Sequence, residues 1–317
     1  MDSLEAELIH NEKEINLVDL KSANQIRNKT LRRAQVLKDK RLKSKLKKEE
    51  RKKKNDSGTQ KNVPKTIDSM REKDHTMLVY MDEEDQLELN LELDRDELSS
   101  YFQKTYEPKV LITFSDNPHQ KCRIFGRELT RIIPNSVSLY RSRSGVKKMV
   151  QSAIGKGFTD IIVINEDRCQ PNGLLVIHLP EGPTAHFRLS NVKLTPELKR
   201  NYKEISEHRP EVILNNFNTH LGNTVSRMLA ALFHYEPEFK GRRAVTFHNQ
   251  RDYIFFRHHR YEFTSNGKAK LRELGPRFTL KLRSLQHGTF DSKTGDYEWI
   301  ITDKRHDLET SRRRFYL

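Results

Sequence analysis

The chain has 317 residues, of which 34% are hydrophobic and 32% charged, so part of it adds charge without adding core. Its formal net charge of +15 points to a polyanionic partner, nucleic acid first and an anionic membrane surface second. The two cysteines, Cys122 and Cys169, have no CxxC partners, which gives no readable zinc or disulfide framework and fits a reducing compartment, and no apolar run reaches the length of a bilayer span.

Met1 to Glu14 is acidic and polar, unlike a secretory leader. Net charge is +8 over residues 1–80, −7 over 81–106 and +14 over 107–317. Residues 1–80 therefore read as a basic N-terminal arm. Within it, Lys29 to Lys54 has helix formers but few large apolar residues. It is expected to be disordered alone and helical on contact with RNA or protein. Residues 55–66 read as linker. Residues 81–106 read as an acidic linker, although Leu87, Leu89, Leu91 and Leu93 alternate with polar residues and also fit a short edge strand or partner-binding strip.

From Glu107 the texture changes. Val110 to Phe114 reads as a buried strand. Cys122, Phe125, Leu129 and Ile132 recur at helical spacing, with Arg123, Arg127 and Arg131 along the other side, and Pro134 ends the helix. Val137 to Tyr140 is a second strand. Ser144 is placed as the cap of a helix with a buried stripe of Val146, Met149, Val150, Ala153 and Ile154, ended by Gly155 and Gly157. Asp160 to Ile164 is a third strand, and Leu174 to Leu179 with Ala185 to Leu189 forms a hairpin-like pair. This order argues for an α/β layer with right-handed crossovers.

The opening then recurs. Pro108-Lys109-Val110-Leu111-Ile112 is echoed by Pro210-Glu211-Val212-Ile213-Leu214, an offset of 102, and a helix follows each. The second has the stripe Leu221, Val225, Met228, Leu229 and Leu232. Ala244 to His248, Tyr253 to Phe263 and Arg277 to Leu285 supply later strands. An internal duplication is expected, with halves at 107–200 and 208–290 packed as one pseudo-symmetric α/β domain and residues 291–317 as a C-terminal extension.

Three basic clusters are candidates for phosphate contact. As a strand, Arg277 to Arg283 turns Phe278, Leu280 and Leu282 to one face and Arg277, Thr279, Lys281 and Arg283 to the other. Arg141, Arg143, Lys147 and Lys148 lie where the second strand turns into its helix, near amides that favour anions. Arg242, Arg243, Arg257 and Arg260 are interleaved with Tyr253, Phe255, Phe256, Tyr261 and Phe263, of which Tyr261 is the expected exposed ring. His258 and His259 are adjacent on a strand and point to opposite faces, so no metal site is expected there. No GxxxxGK[ST], HExxH or GxSxG pattern occurs. Asp160, Glu166 and Asp167 are the domain's only candidates for a carboxylate metal site and read better as loop residues. No catalytic group and no cofactor is expected.

Gly275-Pro276-Arg277-Phe278-Thr279-Leu280-Lys281-Leu282 resembles the hallmark near the end of the Brix domain, and Pro108 to Phe114 and the restart at Pro210 are similar to it too. The resemblance covers residues 107–290 and carries the family signature onto Gly275, Pro276, Arg277, Phe278, Leu280 and Leu282. It implies two similar α/β halves, like the anticodon-binding domain of some tRNA synthetases. It further implies a nucleolar, non-enzymatic factor that binds pre-ribosomal RNA during maturation of the large (60S) subunit and its rRNA processing. It also implies a dedicated assembly-factor partner in a heterodimer and other pre-60S proteins. The rival expectations are a protein–protein scaffold within that particle with little RNA contact, and an RNA-processing enzyme built on acids such as Asp160 or Glu166.

Overall fold

A computed structural model describes residues 26–56, 64–66, 68–72, 76–78, 81–141, 143–198, 205–301 and 314–317. Contacts divide the chain into residues 1–66 and 67–317.

In the first unit, Lys29–Asp56 is a continuous helix, α1, with no buried residue among those described. No glycine or proline interrupts it, and its 28 residues extend about 42 Å at the usual rise. Asn28 Oδ1 accepts from the Thr30 amide at 3.0 Å and closes the first turn. The helix carries fourteen Lys/Arg and four Asp/Glu and has no apolar face, so its charge lies all round it.

In the second unit a 3-10 turn at Asp68–Met70 and a bridge from Met77 to Thr219 precede two α-helices, α2 (Glu83–Leu93) and α3 (Ser99–Phe102). Neither a strand nor a featureless linker forms in the acidic segment. Glu83, Glu84 and Asp85 occupy the first turn of α2, where the helix dipole favours negative charge. The alternating leucines do not build a core: Leu87 and Leu91 are exposed. Instead Arg227 holds the helix end, donating to Leu93 O at 2.9 Å and pairing with Asp96.

The sheet that follows has strands β1 (Val110–Phe114), β2 (Ser136–Ser138), β3 (Asp160–Asp167), β4 (Gln170–His178), β5 (Thr184–Lys193), β6 (Glu211–Asn215), β7 (Arg243–Gln250), β8 (Tyr253–Phe263), β9 (Ala269–Glu273), β10 (Arg277–Gln286) and β11 (Tyr297–Ile300). The remaining helices are α4 (Gln120–Thr130), α5 (Val146–Gly155) and α6 (His220–Ala231). The strand order is β2-β1-β3-β4-β5-β10-β8-β7-β6, with β9 on β8 and β11 on β10. Around the β5–β10 junction this order is a palindrome: β1-β3-β4-β5 faces β10-β8-β7-β6. Each half has an equivalent parallel pair, β1–β3 or β6–β7, followed by antiparallel pairing, and the first half adds β2 parallel to β1 at its edge.

The halves correspond at an offset of 100 from the first strand through the helix, not the 102 suggested by the shared prolines, and at 83 from the next strand through its hairpin. Phe114 pairs with Ile164 in one ladder, and Leu214 pairs with Phe247 in the other. In the helices, Cys122, Phe125, Gly126, Glu128 and Leu129 are buried, and so are Gly222, Val225, Ser226, Met228 and Leu229. Both halves then use a two-residue hairpin with left-handed backbone at each residue: Arg168 (φ 49°) and Cys169 (60°), Arg251 (55°) and Asp252 (61°). That geometry is the type I′ turn, which usually takes Asn and Gly, so sequence alone gives no warning of it.

Helices α4 and α6 cover one face of the sheet, over a core that includes Ile112, Phe125, Phe187, Val225, Phe256 and Leu280. Each such fully buried side chain contributes on the order of 2 kcal/mol. Helix α5 covers only the first half of the opposite face, over Leu111, Ile161, Val163 and Ile177. Its cap is Gly145, not Ser144, and Ile154 is exposed; Val150 and Ala153 alone are buried in it. Among the described residues of this unit, no helix packs on the rest of that face, from β5 across β10 and β8 to β7. Among the described residues, no helix is long and apolar enough to cross a membrane.

Candidate nucleic-acid interface

Strand β10 alternates as its sequence requires. Phe278, Leu280 and Leu282 enter the helix-covered core, while Arg277 and Lys281 stay half-buried on the open face. Phe278 stacks on Phe256 at 4.2 Å between centroids and meets Phe125 edge-on at 5.4 Å. A register shift between Leu282 and Ser284 breaks the alternation at Arg283, so Leu285 returns to the core.

The ladder register builds rows across the open face. Tyr253, Lys281 and Arg188 form one row. His248, Phe255, Thr279 and Ser190 form the next. Thr246 and Arg257 begin a third, and Arg277 pairs with Lys193 further along β10. Lys281 Nζ lies 4.5 Å from the Tyr253 ring centroid. Arg277 forks onto Glu273, and Arg257 approaches the same carboxylate at 4.0 Å. Burial first, then the neighbouring Arg277 charge, lowers the Arg257 pKa. Arg188, which sequence reasoning missed, is exposed at the centre of this face. Its only sequence signal was alternation with Phe187 and Leu189.

Other predicted cations separate. Arg141 pairs with Asp116 at 3.2 Å and lines a cleft of about 360 Å³ with His186 on this same side of the sheet. Lys147 binds Asp291 at 2.8 Å, holding that carboxyl well below its ordinary range. Lys148 and Arg143 are exposed beside them, and Arg242 is exposed in the turn before β7.

Arg243 and Arg260 do not join this surface. They pair across β7 and β8 on the face opposite Arg257. Arg243 is 3% exposed and donates to the carbonyls of Ser206, His208 and Arg131 and to His258 Nε2. It is a structural cation, lowered by burial to about 10. The bond to Arg131 O reaches the end of α4, so it ties the second half to the first. His258 in turn donates from Nδ1 to Gly275 O at 2.9 Å. Both ring nitrogens are thus committed to a neutral imidazole, and burial with the adjacent Arg243 charge pushes His258 down to about 3. Gly275 itself has φ +80°, and a Cβ there would come within 2.7 Å of Leu198. The signature is therefore a packing and hydrogen-bonding hub on one face and a cation row on the other.

The rings sort similarly. Phe256 is buried, while Phe255 and Tyr253 lie on the open face. Tyr261 is half-buried and donates to Glu211; Phe263, at 68%, is the exposed ring at that end. The acids considered for metal chemistry, Asp160, Glu166 and Asp167, lie in strand β3 and not in loops, with Asp160 at one end and the other two at the far end. Asp160 is buried and binds His178 at 2.7 Å, whereas Glu166 lies six residues further along β3, roughly 20 Å away at strand rise.

The fold defines a class: α/β proteins in which two copies of one unit share a single sheet with one largely open face. Residues 115–284 match the Brix domain, and the chain belongs to the Brix-domain family. It is 64% identical to the probable ribosome production factor 1 of Drosophila melanogaster, over 92% of this chain and 74% of that protein. It is 53% identical to ribosome production factor 1 of Xenopus laevis, over 83% and 75% respectively. A crystal structure of a probable ribosomal biogenesis protein from Aeropyrum pernix K1 aligns with 55% of this chain and 96% of its own, at 16% identity and a TM-score of 0.42.

Proposed function

We propose that this chain is a ribosome-biogenesis factor that binds pre-ribosomal RNA during maturation of the large (60S) subunit, in the nucleolus, and catalyses no reaction. The names of its relatives support the biogenesis role. The open face carries the RNA part of the reading. Arg188, Arg257, Arg277 and Lys281 sit there among Tyr253 and Phe255, the combination of backbone-tracking cations and stacking rings that suits unpaired RNA. Helix α1, cationic all round, adds weak phosphate contacts along the chain. Arg141, Arg143, Lys147 and Lys148 extend the basic surface beyond α5, and a dedicated assembly-factor partner completes the functional unit.

The test is binding of large-subunit rRNA fragments across a salt series. Replacing Arg188, Arg277 and Lys281 together with Ala lowers the slope of log affinity against log salt by about 2, at about 0.7 per phosphate lost. An unchanged slope with a folded domain moves the RNA site elsewhere. Recovery of peptides with little RNA on crosslinking favours the scaffold reading instead.

A further inference from the structure

The duplication places two equivalent sites at helix N-termini, one in each half. In the second half the site comprises Thr219, the cap of α6; Gly222, three residues on; Asn249, at the end of β7; and Asp252, in the hairpin turn. Thr219, Asn249 and Asp252 hold the segment Tyr316–Leu317, and Gly222 lies against it. Thr219 donates to Tyr316 O at 2.7 Å, and Asn249 Nδ2 donates to Leu317 O at 3.0 Å. Asp252 accepts from the amides of both residues. A Cβ on Gly222 would come within 2.8 Å of the Leu317 backbone, so glycine makes the room.

The equivalent residues of the first half are His119, Cys122, Glu166 and Cys169. They include both cysteines of the chain. Where Gly222 leaves space for backbone, Cys122 fills it with a side chain. The ligand atoms of His119, Glu166 and Cys169 lie within 4.8 Å of one another. Three ligands around one zinc ion stand roughly 3.5 Å apart, so little closure is needed. The ligands come from two separated segments, His119 at the head of α4 and Glu166-x2-Cys169 at the hairpin after β3, and neither contains CxxC, so a search for that motif passes over them.

We propose that His119 Nδ1, the Glu166 carboxylate and Cys169 Sγ bind a zinc-class divalent ion, leaving a fourth position for solvent. Buried Cys122 neighbours Glu166 and Cys169 but stands outside the ligand set. The Glu166 carboxylate accepts from the His119 amide at 2.8 Å, which fixes it at the head of α4. Mixed N, O and S donors select zinc over magnesium or calcium. This site is independent of the RNA reading.

The test uses the full chain, reduced and stripped with chelator, titrated with cobalt(II) and then zinc. The expected result is one equivalent of cobalt with tetrahedral d–d bands and a thiolate charge-transfer band, displaced by zinc. Cys169→Asn, which keeps a residue tolerant of the left-handed turn, removes the charge-transfer band and weakens binding by at least about 100-fold, the upper end of what losing an outer partner costs. His119→Ala weakens binding likewise, and Cys122→Ser retains the charge-transfer band. Far-ultraviolet circular dichroism checks that each variant is folded. Absence of a saturable band in the wild type, or its survival in folded Cys169→Asn, overturns the proposal. Metal-free binding of the peptide Arg-Phe-Tyr-Leu at a site lost in Cys122→Trp would also overturn it, in favour of a second peptide groove.

Discussion

Strands β7, β8 and β10 together present two faces that differ in kind although both carry arginine and aromatic residues. On the helix-covered face, Arg243, His258, Phe256 and Phe278 are buried and mutually saturated. On the open face, Arg257, Arg277, Lys281 and Tyr253 make contacts that leave each of them partly in solvent. The difference teaches that a one-residue step along a basic, ring-rich strand separates a side chain saturated inside the fold from one left at the solvent face.

The sharpest way to break this contrast is Phe278→Ala, which empties the space between Phe256 and Phe125. It should cost about 4 kcal/mol in urea unfolding. Next is Arg243→Met, which leaves the carbonyls of Ser206, His208 and Arg131 without their donor; a loss of about 3 kcal/mol is expected, with RNA affinity per folded molecule unchanged. A larger effect on affinity than on stability would put Arg243 on the wrong side of the comparison.

A smaller effect comes from His258. Its folded value is near 3 against an ordinary 6.5, so between those values the unfolded chain holds a proton that the folded chain refuses. Its contribution is therefore complete above pH 6.5 and is lost as pH falls from 6.5 toward 3. Urea midpoints measured from pH 7 to 4 should fall more steeply for the wild type than for His258→Gln. Equal slopes would mean that the imidazole is not held neutral. The smallest change in stability is expected on the open face. Arg188→Ala and Lys281→Ala should each shift the unfolding free energy by no more than about 0.5 kcal/mol while weakening RNA binding. A loss of stability comparable with that of Arg243→Met would show these cations to be structural too.

Much of the architecture was legible because period-2 and period-3.6 patterns answer directly to burial: the Phe278, Leu280 and Leu282 side, the α4 and α6 stripes and the Tyr253–Phe263 strand all follow from them. What failed to show was local or long-range. Strand β9, Ala269–Glu273, has no buried residue to leave a pattern. The acidic helix α2 took its conformation from end charges and Arg227, against its alternating leucines. Of the site, Arg277 and Lys281 were readable from alternation, but Arg188 needed the β5–β10 register to become their neighbour.

The sequence by itself determined the two-half α/β plan, the surplus cation and the family signature, because each is written in spacing and composition along the chain. Only the tertiary structure decided which arginines are buried, that the repeat runs at 100 through the helix and at 83 beyond it, and that His119, Glu166 and Cys169 meet. These depend on ladder register and on helix placement over one face, and neither is a property of any local stretch of residues.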